Sequence, residues 1–303
     1  MLFVIFAPNN CRMSKQQFIT KIGNYLSMVK FAHTIFALPF ALFGFFMAVG
    51  SPDNNLNWLL LFLVILCMFF ARNAAMSFNR WADREFDKKN PRTAIREIPA
   101  EIIKPGSALT FSLLNGLLFI STTWFINHMC FYLSPVALMV IMGYSLTKRF
   151  TYLSHFILGL GLALAPTGAF LAVTGHFDWL PVILSAAVLC WVSGFDIIYA
   201  LQDDDFDREN QLRSIPVQLG RKRALMLSSV LHVITAALLL LLGLQGNFDI
   251  FYWIGYAAFS GLLLYQHLIV KADDLRRVNV AFFTLNGIAS IIYASFGIAG
   301  IIF

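Results

Sequence analysis

The chain has 303 residues, 59% of them hydrophobic and 13% charged, with a formal charge of +6 and a mean hydropathy of +0.73. Soluble domains carry about 45–50% apolar and about 25% charged residues, so this chain lacks the polar surface to cover a particle of its size in water. A soluble enzyme, a disordered chain and a nucleic-acid module are excluded, and the chain reads as an all-α integral membrane protein.

Residues 1–30 read as a cytoplasmic N-terminal segment and 31–303 as one transmembrane domain. The apolar run Met1–Ala7 is too short for a span and lacks a preceding basic region, so it does not read as a signal peptide. Met13, opening a more polar stretch, is an alternative start. At about 20 residues per span, apolar runs predict nine helices: 31–50, 57–78, 106–126, 131–147, 153–173, 180–201, 223–243, 249–269 and 279–301. Cys11, Cys67, Cys130 and Cys190 show no C-x-x-C or zinc-like spacing, and the last three sit in apolar runs as buried thiols.

Charge placement tests this count. Of the 22 Lys and Arg, 21 fall in the N-terminal segment or in the connections after helices 2, 4, 6 and 8; the exception, Arg72, lies inside helix 2. Of the 16 acids, only Asp53, Asp178 and Asp249 fall on the other side. A wrong count would scatter these charges. The positive-inside rule therefore predicts a nine-helix bundle with a cytoplasmic N-terminus, an external C-terminus and the charged face in the cytoplasm of an inner, or cell, membrane.

After helix 2, Asn79, Asp83 and Asp87 recur at i, i+4 and i+8, one face of a helix at about 100° per residue. After helix 6, Asp196, Tyr199, Asp203 and Asp207 fall within about 80° of one another, while Asp204 and Asp205 point elsewhere. One such run reads equally as a solvated helix end. Two on one membrane side, with carboxylates that repel unless a cation joins them, point to Mg²⁺ shared with substrate phosphates. Asp196 sits within an apolar stretch, where an ionisable group is costly. Arg72 lies two turns before Asn79, and Tyr144 one turn before Lys148 and Arg149. These cations read either as snorkelling or topological charges, or as the other half of a diphosphate clamp. The chemistry indicated is departure of diphosphate from an allylic lipid and capture of the cation by an electron-rich acceptor.

Three segments resemble the UbiA superfamily of intramembrane prenyltransferases. Asn79 to Thr93 reads N-R-x-x-D-R-x-x-D-x-x-x-x-R-T. Tyr144, Lys148, Arg149 and Thr151 match Y-x-x-x-K-R-x-T. Asp196, Tyr199, Asp203 and Asp207, followed by Arg213-Ser214, match D-x-x-Y-x-x-x-D-x-x-x-D with its basic-Ser pair. The resemblance implies a nine-helix bundle with a central cavity, carrying out Mg²⁺-dependent transfer of a polyprenyl chain. It makes Asp83, Asp87, Asp196, Asp203 and Asp207 the catalytic acids, with Asn79, Asp83, Asp203 and Asp207 holding the metal and Asp87 and Asp196 supporting them. It assigns Arg72, Lys148 and Arg149 to diphosphate oxygens and Tyr144 and Tyr199 to the substrate. Two positions depart from the pattern: Arg80 replaces the usual Asp after Asn79, removing an acid of secondary weight, and Glu97 stands in place of a Pro in a loop expected to cover the site.

The segment M-V-K-F-A-H-T-I-F-A-L-P-F-A opening helix 1 is similar to the 4-hydroxybenzoate polyprenyltransferase branch, including relatives that serve menaquinone synthesis through a dihydroxynaphthoate. The implied acceptor is a hydroxylated aromatic carboxylic acid, 4-hydroxybenzoate or 1,4-dihydroxy-6-naphthoate, with other acceptors of the superfamily open. Lys30 or His33 would pair with its carboxylate; equally, Lys30 reads as a topological charge and His33 as a helix-end histidine. The implied partners are the polyprenyl diphosphate, this acceptor and the bilayer, with no nucleic acid. A cation-coupled transporter would show internal repeats or acids near the bilayer midplane, and neither is found in the sequence.

Overall fold

The computed structural model describes residues 15–29, 36–52 and 54–303. Among these the regular elements are all helices, without a strand. The first helix, α1 (Lys15–Met28), falls where no helix is expected; Tyr25, Met28 and Val29 pack on Trp81, Ile98 and Ile103, so tertiary burial rather than a long apolar run fixes it. The membrane elements follow: α2 (Leu38–Val49), α3 (Trp58–Ala82), a short α4 (Arg84–Lys89), α5 (Pro105–Trp124), α6 (His128–Thr147), α7 (Ser154–Thr174) and α8 (Trp179–Ala200). The short α9 (Asp204–Glu209) and α10 (Ile215–Leu219) lead to α11 (Arg221–Gln245), α12 (Ile250–Ile269), a π-helical turn (Val280–Leu285) and α13 (Asn286–Ile302).

Helix lies within each of the nine expected intervals. Seven of these helices are long and apolar enough to cross a membrane: α3, α5, α6, α7, α8, α11, and α13 with its π-helical turn. Their outward faces carry Phe62, Leu117, Met139, Val233 and Leu244, a surface suited to lipid. The protein is an integral membrane protein.

The connections without basic residues have a common local logic. Helices α3, α6, α8 and α12 each begin at an Asn or Asp cap. The side chains of Asn57, Asn127, Asp178 and Asp249 accept hydrogen bonds from Leu60, Cys130, Leu180 and Phe251 amides. Such caps satisfy amides that the helix itself leaves open.

Small residues let the central helices approach closely. Gly44 of α2 lies against the Pro166 backbone of α7, Gly159 of α7 against Leu189 and Ser193 of α8, and Gly194 of α8 against His232 of α11. Trp191, fully buried among Phe40, Phe195 and Phe259, donates from Nε1 to Asn286 Oδ1 (2.9 Å). The Asn286 amide donates in turn to the Ala281 carbonyl (2.9 Å), so the π-helical turn keeps a satisfied backbone. A Cβ on Gly44 would overlap the carbonyl oxygen and Cα of Pro166, backbone that cannot step aside. Gly44→Ala is therefore expected to cost about 1–3 kcal/mol. Gly168→Ala, whose Cβ meets nothing within 4 Å, is the control. Thermal unfolding in detergent checks this, and equal midpoints for the two variants would contradict it.

Candidate active site

Helix α3 ends at Ala82 and α8 at Ala200, each followed by a turn and a short new helix. The continuous helical faces expected through Asp87 and Asp207 are thus broken. Hydrogen bonds of i→i+3 type, Leu201 to Ile198 and Asp203 to Ala200, tighten the turn after α8. The acids nevertheless converge, because both turns fold over one chamber.

That chamber is a polar cavity of about 280 Å³ lined by Arg72, Asn79, Arg80, Asp83, Asp87, Arg92, Arg96, Tyr144, Lys148, Arg149, Asp196, Tyr199, Asp203 and Asp207, among others. All of the expected site residues among those described are in it; Lys30 and His33 lie outside the described residues. Asp204 and Asp205 point away, onto Arg221 at 2.7 and 3.1 Å, as their spacing implies. At Arg72, Met76, Tyr144, Leu158 and Leu162 the polar chamber meets a second cavity of about 380 Å³. Its walls, from α3, α5, α6 and α7, are almost wholly apolar, with Val64, Phe119, Val140, Gly168 and Leu171 among them.

Within the polar chamber, four carboxylates face a cation. Asp203 takes two hydrogen bonds from the Arg92 guanidinium, one at 3.0 Å, and a third from Asn90 at 3.1 Å. Asp87 is held by Arg96 at 2.6 Å, Asp207 by Lys148 at 3.4 Å and Asp83 by Arg149 at 3.8 Å. Asn79 donates to Asp83 at 2.9 Å. Asp196 differs. Its partner is the fully buried His155, with Nδ1 at 2.7 Å. His155 Nε2 lies 3.4 Å from the Ile215 amide nitrogen, so the ring bridges α8 and the start of α10.

Burial pushes the Asp83 carboxyl up to about 6; Asp87 adds to the shift, while Lys148, Arg149 and Arg96 oppose it. At Lys148 burial works against the charge, but Asp207, Asp196, Asp203 and Asp83 outweigh it and raise the pKa. Asp83 thus gains from any further cation. Among the described residues no three His, Cys, Asp or Glu side chains close into a metal cluster on their own.

Aromatic rings form one wall. Phe282, on the π-helical turn, stacks on Tyr199 at 4.1 Å and lies edge-on to Phe195 at 5.2 Å; Phe36 and Phe283 complete the group. Sequence spacing assigns no role to Arg92, Arg96, His155 or these phenylalanines. Arg92 stands in the R-T end of the first segment, a signal that was present; His155 and Phe282 carry none, because only tertiary packing brings them to the acids.

Residues 37–288 match the UbiA prenyltransferase family. The chain is 30% identical over 255 residues to the 4-hydroxybenzoate octaprenyltransferase of Aliivibrio salmonicida (strain LFI1238), covering 83% of this chain and 86% of the relative. Its fold is similar to the apo structure of a UbiA homolog from Aeropyrum pernix K1 (TM-score 0.79, 28% identity, 87% of this chain and 96% of that one). It is also similar to a UbiA homolog from Archaeoglobus fulgidus bound to GPP and Mg²⁺ (TM-score 0.71, 22% identity, 92% and 99%).

Proposed function

The chain belongs to the UbiA prenyltransferase family, and from that premise we propose that it transfers a polyprenyl chain from an allylic diphosphate to a hydroxylated aromatic carboxylic acid of the 4-hydroxybenzoate type. One observation carries the reading: a charged chamber bearing two acidic segments and their cations opens directly into an apolar one. A donor with a diphosphate head and an isoprenoid tail needs both, in that order. The name of the Aliivibrio relative and the GPP and Mg²⁺ of the Archaeoglobus protein support it.

Asn79, Asp83, Asp203 and Asp207 offer hard oxygen donors to Mg²⁺, which binds through one or two carboxylates plus waters and phosphate oxygens. The donor set fits without a closed protein cage, and the raised Asp83 carboxyl favours a cation beside it. Bound there, Mg²⁺ would neutralise charge on the departing diphosphate. Lys148, Arg149 and Arg72 take diphosphate oxygens, and the tail enters the apolar cavity past Tyr144. The allylic C–O bond breaks with its electron pair leaving on the diphosphate. Phe36, Phe195, Tyr199, Phe282 and Phe283 face the allylic cation with their rings. A ring carbon of the acceptor supplies the π pair of the new C–C bond, and its C–H pair then restores aromaticity. The released proton passes to Asp196, among the described residues the one chamber acid whose hydrogen-bond partner is a histidine rather than an Arg or Lys. Asp87, tied to Arg96, holds the loop after α4 over the chamber.

Nine spans, with the N-terminus and active site at the cytoplasmic face of the cell membrane and the C-terminus outside, complete the proposal. The basic residues gathered on one side support this orientation. The 20 residues of α12 extend about 30 Å, the thickness of a hydrocarbon core. The test incubates membranes holding the chain with Mg²⁺, labelled polyprenyl diphosphate and 4-hydroxybenzoate, with 1,4-dihydroxy-6-naphthoate in a parallel arm. Prenylated aromatic acid in either arm supports the reaction and identifies the acceptor. Diphosphate turnover without aromatic product in both would contradict it.

A further inference from the structure

Arg80 is a buried cation of the chamber that the mechanism above leaves unused. It lies on α3 between Asn79 and Asp83, is only 4% exposed, and lines the polar cavity. Among the described residues it forms no hydrogen bond and no ion pair, and its Nε is buried without a partner. Four other cations of this lining, Arg92, Arg96, Lys148 and Arg149, each meet a carboxylate within 4 Å. A guanidinium stays charged at any accessible pH, and Asp87 and Glu97 act on Arg80 only through space, so its buried donors favour a ligand that supplies a bonded anion.

The charge of the lining agrees. Arg72, Arg80, Arg92, Arg96, Lys148 and Arg149 oppose Asp83, Asp87, Asp196, Asp203 and Asp207, six cations against five acids. With an acid at position 80, the more usual residue there, the balance would be five against six. Arg80 turns the chamber from one excess negative charge to one excess positive.

Position indicates which anion. Lys148 interacts with Asp207, Asp196, Asp203 and Asp83, the metal and diphosphate end of the chamber. Arg80 instead has Arg96, Asp87, Tyr144 and Glu97 as its charged and polar neighbours. It shares Tyr144 with Arg72, where the two cavities join and the allylic carbon would lie. Asp87 gives Oδ1 to Arg96 and keeps Oδ2 unpartnered, yet does not pair with Arg80. Glu97 is engaged by Ser27 on the far side.

We propose that Arg80 forms the subsite for the carboxylate of the aromatic acceptor, its planar fork matching the two carboxylate oxygens. This rests on the aromatic-acid reading above. The subsite sets the carboxylate away from the diphosphate and leaves the ring toward the allylic carbon.

The test compares Arg80→Gln and Arg80→Lys with the unaltered full chain in membranes, using 4-hydroxybenzoate and phenol as acceptors. Phenol is the same hydroxylated ring without the carboxylate. Arg80→Gln is expected to raise KM for 4-hydroxybenzoate by about 10- to 100-fold and to erase a similar factor of its preference over phenol, with donor KM changed less than about twofold. Arg80→Lys should fall between and keeps the test open if Arg80→Gln is not recovered in membranes. An unchanged 4-hydroxybenzoate-to-phenol preference would overturn the assignment, because a purely structural role lowers both substrates together. A raised donor KM with an unmoved acceptor KM would overturn it in favour of diphosphate. Where the unaltered chain prenylates only 1,4-dihydroxy-6-naphthoate, that acid and its decarboxylated counterpart take the place of 4-hydroxybenzoate and phenol; if it prenylates neither acid, the aromatic-acid reading falls and the subsite with it.

Discussion

Asp203→Ala is expected to lower prenyl transfer by about 10³-fold or more while leaving the protein inserted and folded. Removing one group that stabilises developing charge costs about 10²–10³ in kcat. Asp203 carries more than one such function, since it anchors Arg92 and Asn90 and is a proposed oxygen ligand for the metal. Its loss would also leave Arg92 without the carboxylate that holds it over the Tyr199 ring. Asp205→Ala is the matched control. That side chain is 84% exposed, lies outside the chamber and pairs only with Arg221. Extraction yield and thermal midpoint should match for the two variants, and turnover should not. Comparable turnover would show that the acidic segment after α8 is a solvated helix end.

Gly168→Leu is expected to separate donors by length. Gly168 lines the apolar cavity, and a Cβ there meets no atom within 4 Å. An isobutyl group would take the space of roughly one isoprene unit, at about 0.8 kcal/mol for each methylene displaced. For a long donor such as octaprenyl diphosphate, kcat/KM should fall by about 10²–10³-fold. Geranyl diphosphate, whose tail ends sooner, should be nearly unaffected. Steady-state kinetics with the two donors check this. An equal effect on both would mean that the tail leaves the chamber by another route.

Much of this was legible from local chemistry. Nine apolar intervals coincide with helices, because hydropathy and the sidedness of Lys and Arg are properties of consecutive residues. The acids were legible as a set even though the helices break at Asp83 and Leu201, because short turns at both helix ends fold toward the same chamber. What stayed hidden depends on contacts far apart in the chain. Arg92 meets Asp203 across 111 positions and His155 meets Asp196 across 41. Arg80 stands out in sequence only as a basic residue where an acid is usual, and its burial without a bonded partner is what suggests a role for that departure. The π-helical turn at Phe282 has no sequence signal of its own; Asn286 and Trp191 hold it.

The central claim is that the two acidic segments act as one unit on one diphosphate. A double-mutant cycle of Asp83→Ala and Asp203→Ala tests it most directly, reading kcat/KM for prenyl transfer in saturating Mg²⁺. Residues acting as a unit are strongly non-additive, so the double variant should be no worse than the poorer single variant within about threefold. Losses that multiply across the cycle, or singles that turn over like the unaltered chain, would contradict it.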